Sequence, residues 1–210
     1  METIDNLPQH YVYSTPVIEF MTVVAKTCKF LEHLYEFEAK DVVYQLLNYL
    51  PLLYQHTIML NLPEEDFDGY LEQFVTENDY NIILDSVREK LNEHDAYLEI
   101  FHENRDINNE PTVAFISENI ADIYQEIKDL AGNYQTADTF IMAQAINMAQ
   151  QTFVEHWGGK LLNALRALHH IHCNVTFDDE QSSHHHAQQH HMEHVHGNNC
   201  HCHDEMEDFF

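Results

Sequence analysis

Between residues 184 and 203 the chain reads HHHAQQHHMEHVHGNNCHCH, which places nine histidines and two cysteines within 20 residues. Imidazole is largely neutral near pH 7, so its nitrogen lone pair is free to bind a metal ion. Thiolates are softer ligands, and a bound metal itself favours deprotonation of the thiol. The candidate metal ligands are therefore His184, His185, His186, His190, His191, His194, His196, Cys200, His201, Cys202 and His203. Their spacing is too dense and irregular for a closed zinc finger, which needs two separated ligand pairs. It suits overlapping sites that exchange a divalent nickel, zinc, copper or cobalt ion, the choice being set by ligand softness and metal availability. Composition shows capacity and not purpose, so the same segment also reads as a polar tail with incidental affinity.

The rest of the chain offers weaker constellations. Glu99 and His102 have the Glu-x-x-His spacing of di-iron bundles, but such sites need a second copy and two further carboxylates, and the folded part has one copy. Glu118, Asp122, Glu126 and Asp129 recur at four, four and three residues and share a helix face. Such a face could grip a cation or a basic partner; a solvated helix face is the ordinary explanation. His156, Asn163 and His170 lie seven apart along one flank of the last helical run. His169 and Cys173, four apart on another flank, could share a metal. No Ser/His/Asp or Cys/His catalytic pairing and no Gly-rich phosphate loop can be argued, so no catalytic residue is assigned and no cofactor is expected in the helical part.

The elements that carry these residues are mainly helices. Thr15-Pro16 reads as an N-cap with proline at the first helical position. Val17, Phe20, Met21, Val24, Cys28, Leu31 and Leu34 then form one apolar stripe. A second run from Glu38 to Tyr54 contains Pro51, which should kink or divide it. Phe67, Tyr70, Leu71 and Phe74 suggest a short helix, and Thr76 can cap another. Residues 95–116 are rich in aromatic and β-branched types around turn residues, which predicts a small hairpin or an irregular connection. Ser117 can cap a further helix whose end Gly132-Asn133 signals. From Thr136 to His172 runs one long helix, or two joined at Gly158-Gly159, the glycine pair implying close approach of a neighbouring helix. The expected fold is all-α, a helical domain over 1–173, followed by a disordered, acidic, His/Cys-rich tail over 174–210. Residues 179–210 contain no Leu, Ile, Lys or Arg, too little apolar surface to offset the ordering entropy.

Nine Lys+Arg against 36 Asp+Glu give a formal charge of -27. That sign repels phosphate backbones and anionic headgroups, so nucleic acid and membrane are not expected partners. Metal ions and another protein are. No stretch approaches the roughly 20 apolar residues of a membrane span. The opening residues lack a signal peptide's charged and apolar regions, and four cysteines so spaced make no disulfide framework. A cytoplasmic location is the expectation.

The segments SENIADIYQEIK (117–128) and HWGGKLLNALRALH (156–169), with the opening helix over 17–31, resemble the bacterial domain-of-unknown-function family 5063. The resemblance covers about residues 11–172 and leaves out the tail. It implies a small intracellular helical domain without an assigned activity, and no catalytic residues carry over. The sequence thus points to a non-enzymatic accessory or interaction protein whose tail binds or buffers a divalent transition metal. An enzyme with its site in the helical domain and a metal-independent protein-binding module are the alternatives.

Overall fold

Each apolar stripe of the sequence becomes the buried side of a helix. The computed structural model describes residues 10–63, 69–99, 112–175 and 177. Helix α1 (Thr15–Glu32) starts one residue earlier than expected, with Ser14 at the N-cap and Pro16 within the first turn. Helix α2 (Ala39–Met59) runs undivided through Pro51; Pro51 is exposed, so the carbonyl it leaves unpaired lies on the wet side of the helix. Helix α3 (Glu77–Leu91) has the expected Thr76 cap, completed by Asp79 into a reciprocal capping box. A two-stranded antiparallel hairpin follows, β1 (Ala96–Glu99) and β2 (Thr112–Phe115), with Ala96 opposite Phe115 and Glu99 opposite Thr112. Helices α4 (Ile116–Tyr134), α5 (Thr139–Thr152) and α6 (Gly158–Asn174) complete the fold. The all-α expectation holds, with the hairpin as its one small sheet among the described residues.

Helix α4 is the central element and packs against α1, α3, α5 and α6. Ile116, Ile120, Ile123, Tyr124, Ile127, Leu130 and Ala131 are all buried along it. Burial of each large apolar side chain contributes about 1.5–3 kcal/mol relative to exposure, so this one stripe anchors the bundle. Helix α2 packs against α1 and α6 on the far side.

Several expectations need correction or refinement. Ser117 does not cap α4. The N-cap position is Phe115, which has no capping side chain, and the buried Asp95 serves instead. Its carbonyl accepts from Ile116 N–H, and its carboxylate accepts from Ser117 N–H (2.7 Å) and Ser117 Oγ (2.6 Å). Gly132-Asn133 lies in the last turn of α4, which ends at Tyr134 where the signal placed it, but the glycine is not the cap, a position taken by Gln135. Gly132 is bare so that the Phe74 ring can lie where a Cβ would be. Finally, Tyr70, Leu71 and Phe74 form no helix; residues 69–76 are irregular, and Phe67 lies outside the described residues. The loop's backbone finds partners on α4. Asp129 Oδ1 accepts from the N–H groups of Phe74 (2.6 Å) and Val75 (2.9 Å), and the Asn133 amide bonds both N–H and carbonyl of Glu72. Backbone groups satisfied this way have no need of helical partners.

The final helical run is joined, not split. Between α5 and α6 lies a π turn, Phe153–Trp157, closed by the bond from Gly158 N–H to the Phe153 carbonyl. A Cβ on Gly158 would stand 2.5 Å from that carbonyl oxygen, whereas one on Gly159 would meet nothing within 4 Å. The reason for the first glycine is thus the wide turn of its own helix, not a neighbouring helix. Trp157 is buried and donates its indole N–H to the Ala149 carbonyl (3.0 Å). Opposite effects on stability are expected from two single alanines. Gly159→Ala should stabilise by up to about 1 kcal/mol from helix propensity, and Gly158→Ala should destabilise by about 1–3 kcal/mol through the backbone clash. Urea unfolding of the two variants side by side checks the pair.

Candidate functional site

The acidic face of α4 is occupied by its own fold. Asp122 accepts from Tyr80 Oη of α3 (2.8 Å) and is ion-paired with Lys160 of α6. Glu126 accepts from Thr152 Oγ1 of α5 (2.7 Å), and Asp129 holds the 69–76 loop. Glu118 stands 4.0 Å from Arg88. Burial, chiefly, raises the Tyr80 hydroxyl's pKa, with the Asp122 hydrogen bond adding to it. Burial also raises the Asp129 carboxyl, while the two backbone N–H bonds pull it back. These carboxylates tie α3, α5, α6 and the loop onto α4, so the face is neither merely solvated nor a vacant cation site.

Glu99 closes strand β1 and accepts from Asn163 Nδ2 of α6 (2.6 Å). It sits on a strand, so the helical Glu-x-x-His geometry does not apply to it; His102 lies outside the described residues. Between the hairpin and α6 opens a cleft of about 480 Å³, with Tyr97 and Glu99 on one wall and Asn163, Arg166 and His170 on the other. Tyr97 Oη accepts from Asn119 Nδ2 (2.6 Å) at its back, and burial raises its pKa. His94 borders the cleft and meets Phe177 edge-on, ring centroids 6.1 Å apart. Asn163 and His170 thus converge as their spacing implied. His156 does not, because it lies exposed within the π turn, where α-helical spacing fails by the extra residue the turn contains. The cleft was missed in the sequence because β1 comes to it from about 64 residues away along the chain, and no local pattern reports such a meeting.

The last turn of α6 carries His169, His170, His172 and Cys173, all exposed. Cys173 Sγ is 3.7 Å from His169 Nε2 and 4.0 Å from Nδ1, which brings together the pair the spacing suggested. Asn174 Nδ2 bonds the His170 carbonyl and stands 3.2 Å from its Nδ1. Cys28, by contrast, is buried, and desolvation pushes its thiol up to about 12, so it is not available as a ligand or nucleophile. Among the described residues no group of three or more His, Cys, Asp and Glu is arranged to hold a metal, and no helix is long and apolar enough to cross a membrane. The candidate ligands from His184 to His203 all lie outside the described residues.

The helical fold and the α4–α6 motifs define a class, and comparison with known proteins supplies its name. The chain belongs to the family described as Domain of unknown function (DUF5063), whose model matches residues 11–174. It is similar to the crystal structure of protein BF1032 from Bacteroides fragilis, at 34% identity and a TM-score of 0.70, over 81% of this chain and 99% of that one. No curated protein matches the chain. The His/Cys-rich stretch follows the matched region and is not part of it.

Proposed function

We propose that this protein is a non-enzymatic accessory protein that takes up divalent transition metal ions on residues 184–203, with the helical unit as the platform a partner protein meets. The observation that carries the reading is the density of donors, nine imidazoles and two thiols in 20 residues. A formal charge of -27 supports it, because a strongly negative field raises the local concentration of cations. We place the work in the cytoplasm, where reducing conditions keep Cys200 and Cys202 as thiols able to bind metal. Nickel, zinc, copper and cobalt all fit a mixed imidazole and thiolate set.

The test compares the full chain with one ending at residue 177, both untagged and reduced. In calorimetric titration with nickel or zinc the full chain should take up several equivalents and the shortened chain about one or none. Metal analysis of the two proteins purified from the native host should show the same difference. Equal uptake by both would remove the metal role from the segment.

A further inference from the structure

We propose that His169 and Cys173 form a clip for one divalent transition metal ion on the last turn of α6. The clip deepens the metal-handling reading and rests on it for its purpose, although its ligands are different residues. The argument is geometric. Zinc lies about 2.0–2.1 Å from an imidazole nitrogen and about 2.3 Å from a thiolate, and a tetrahedral angle between them sets nitrogen and sulfur about 3.6 Å apart. The observed separation of Cys173 Sγ from His169 Nε2 is 3.7 Å. The sulfur is nearly as close to Nδ1, at 4.0 Å, and so lies beside the ring; a turn of the exposed imidazole about its Cβ–Cγ bond aims the Nε2 lone pair at an ion shared with the thiolate.

The backbone keeps the two donors within this reach. Residues four apart on a helix are neighbours on its surface, and α6 remains regular through Asn174. Val175 N–H then bonds the Ile171 carbonyl (2.9 Å), so the final turn does not fray at the clip. Both side chains are exposed, and an ion would reach them from solvent without opening the core. Beside His169 a shallow hollow is walled by Leu47 of α2 and by Leu162, Leu165 and Arg166 of α6. Its apolar residues border the imidazole on that flank, and such a border bears on solvent access and so on ligation. The Arg166 guanidinium weakens it by repulsion. Two protein ligands leave the remaining positions to water, so the site exchanges its ion faster than a closed four-ligand site. That suits hand-over of metal more than storage.

Cobalt(II) supplies the test, because thiolate ligation gives a near-ultraviolet charge-transfer band that imidazole alone does not. The protein is the full chain carrying Cys200→Ser and Cys202→Ser, which leaves the exposed Cys173 and the buried Cys28. Cobalt titration should produce the band, and Cys173→Ser should abolish it. His169→Ala should shift its midpoint at least about tenfold toward higher cobalt, since even loss of an outer-shell partner costs 10–100-fold. Both positions are surface sites, so circular dichroism should show the helices intact in each variant. Absence of the band before either substitution overturns the proposal, as does a midpoint unmoved by His169→Ala. Total cobalt bound, measured on the same samples, reports the 184–203 histidines separately. Failure of the clip and failure of the segment are therefore told apart.

Discussion

At pH 5.5 the full chain is expected to lose most of the nickel or zinc that it holds at pH 7.5. An unperturbed imidazole has a pKa of about 6.5, so roughly nine-tenths of it is neutral at pH 7.5 and roughly one-tenth at pH 5.5. Protons and metal compete for the same lone pair, so metal binding is present above that pKa and is lost as pH falls through it. A site built from three imidazoles should weaken by about a thousandfold across the interval, one factor of about ten per ligand. Equilibrium dialysis at the two pH values measures it. Carboxylates give the contrasting result. Glu193, Asp204, Glu205, Glu207 and Asp208 accompany the histidines, and carboxylates of ordinary pKa stay ionised at pH 5.5. Undiminished binding at the lower pH would mean that these oxygens, and not the imidazoles, hold the ion.

Asp95→Ala should destabilise the helical unit by about 3 kcal/mol, the largest loss expected from a single side chain outside the apolar core. Asp95 is 3% exposed and receives both the N–H and the hydroxyl of Ser117, itself fully buried. Removing the carboxylate takes away a helix cap, which costs about 0.5–2 kcal/mol. It also strands buried donors without water, which costs about 1–3 kcal/mol more. Arg88 Nε, 3.8 Å from Asp95 Oδ2, adds little because the guanidinium is half exposed. Asp95→Asn keeps one acceptor for the Ser117 N–H but turns an amide toward the hydroxyl or loses the charge-assisted bond, so about half the loss is expected. Urea unfolding should show a lower midpoint with an unchanged slope. A midpoint for Asp95→Ala within about 0.5 kcal/mol of the parent would show that α4 is capped some other way.

The fold was readable wherever the signal is local. Apolar residues three and four apart placed the buried sides of α1, α2, α4 and α6, and Thr76 marked the start of α3. The aromatic and β-branched runs near 95–116 became a hairpin. The His169–Cys173 approach was equally visible, because four residues along a helix fix a distance without help from any other element. The donor-rich segment needs no fold at all for its chemistry to be read.

Other features depended on which distant side chain reached a backbone first. Ser117 and Gly132 carry ordinary cap signals, but Asp95, 22 residues upstream, took the first role, and the ring of Phe74 explains the second. The 69–76 loop has a helical pattern, and its N–H groups went instead to Asp129 and Asn133, more than 50 residues away. The α4 acids read as a wet face until Tyr80, Thr152 and Lys160 were seen to reach them. Periodicity and the clustering of donor side chains belong to residues close together in the chain, so the sequence alone determined the helices and the dense run of imidazoles and thiols on which the metal proposal rests. Polar partners are chosen by packing that brings remote segments within 3 Å or so, and only the tertiary structure could decide them.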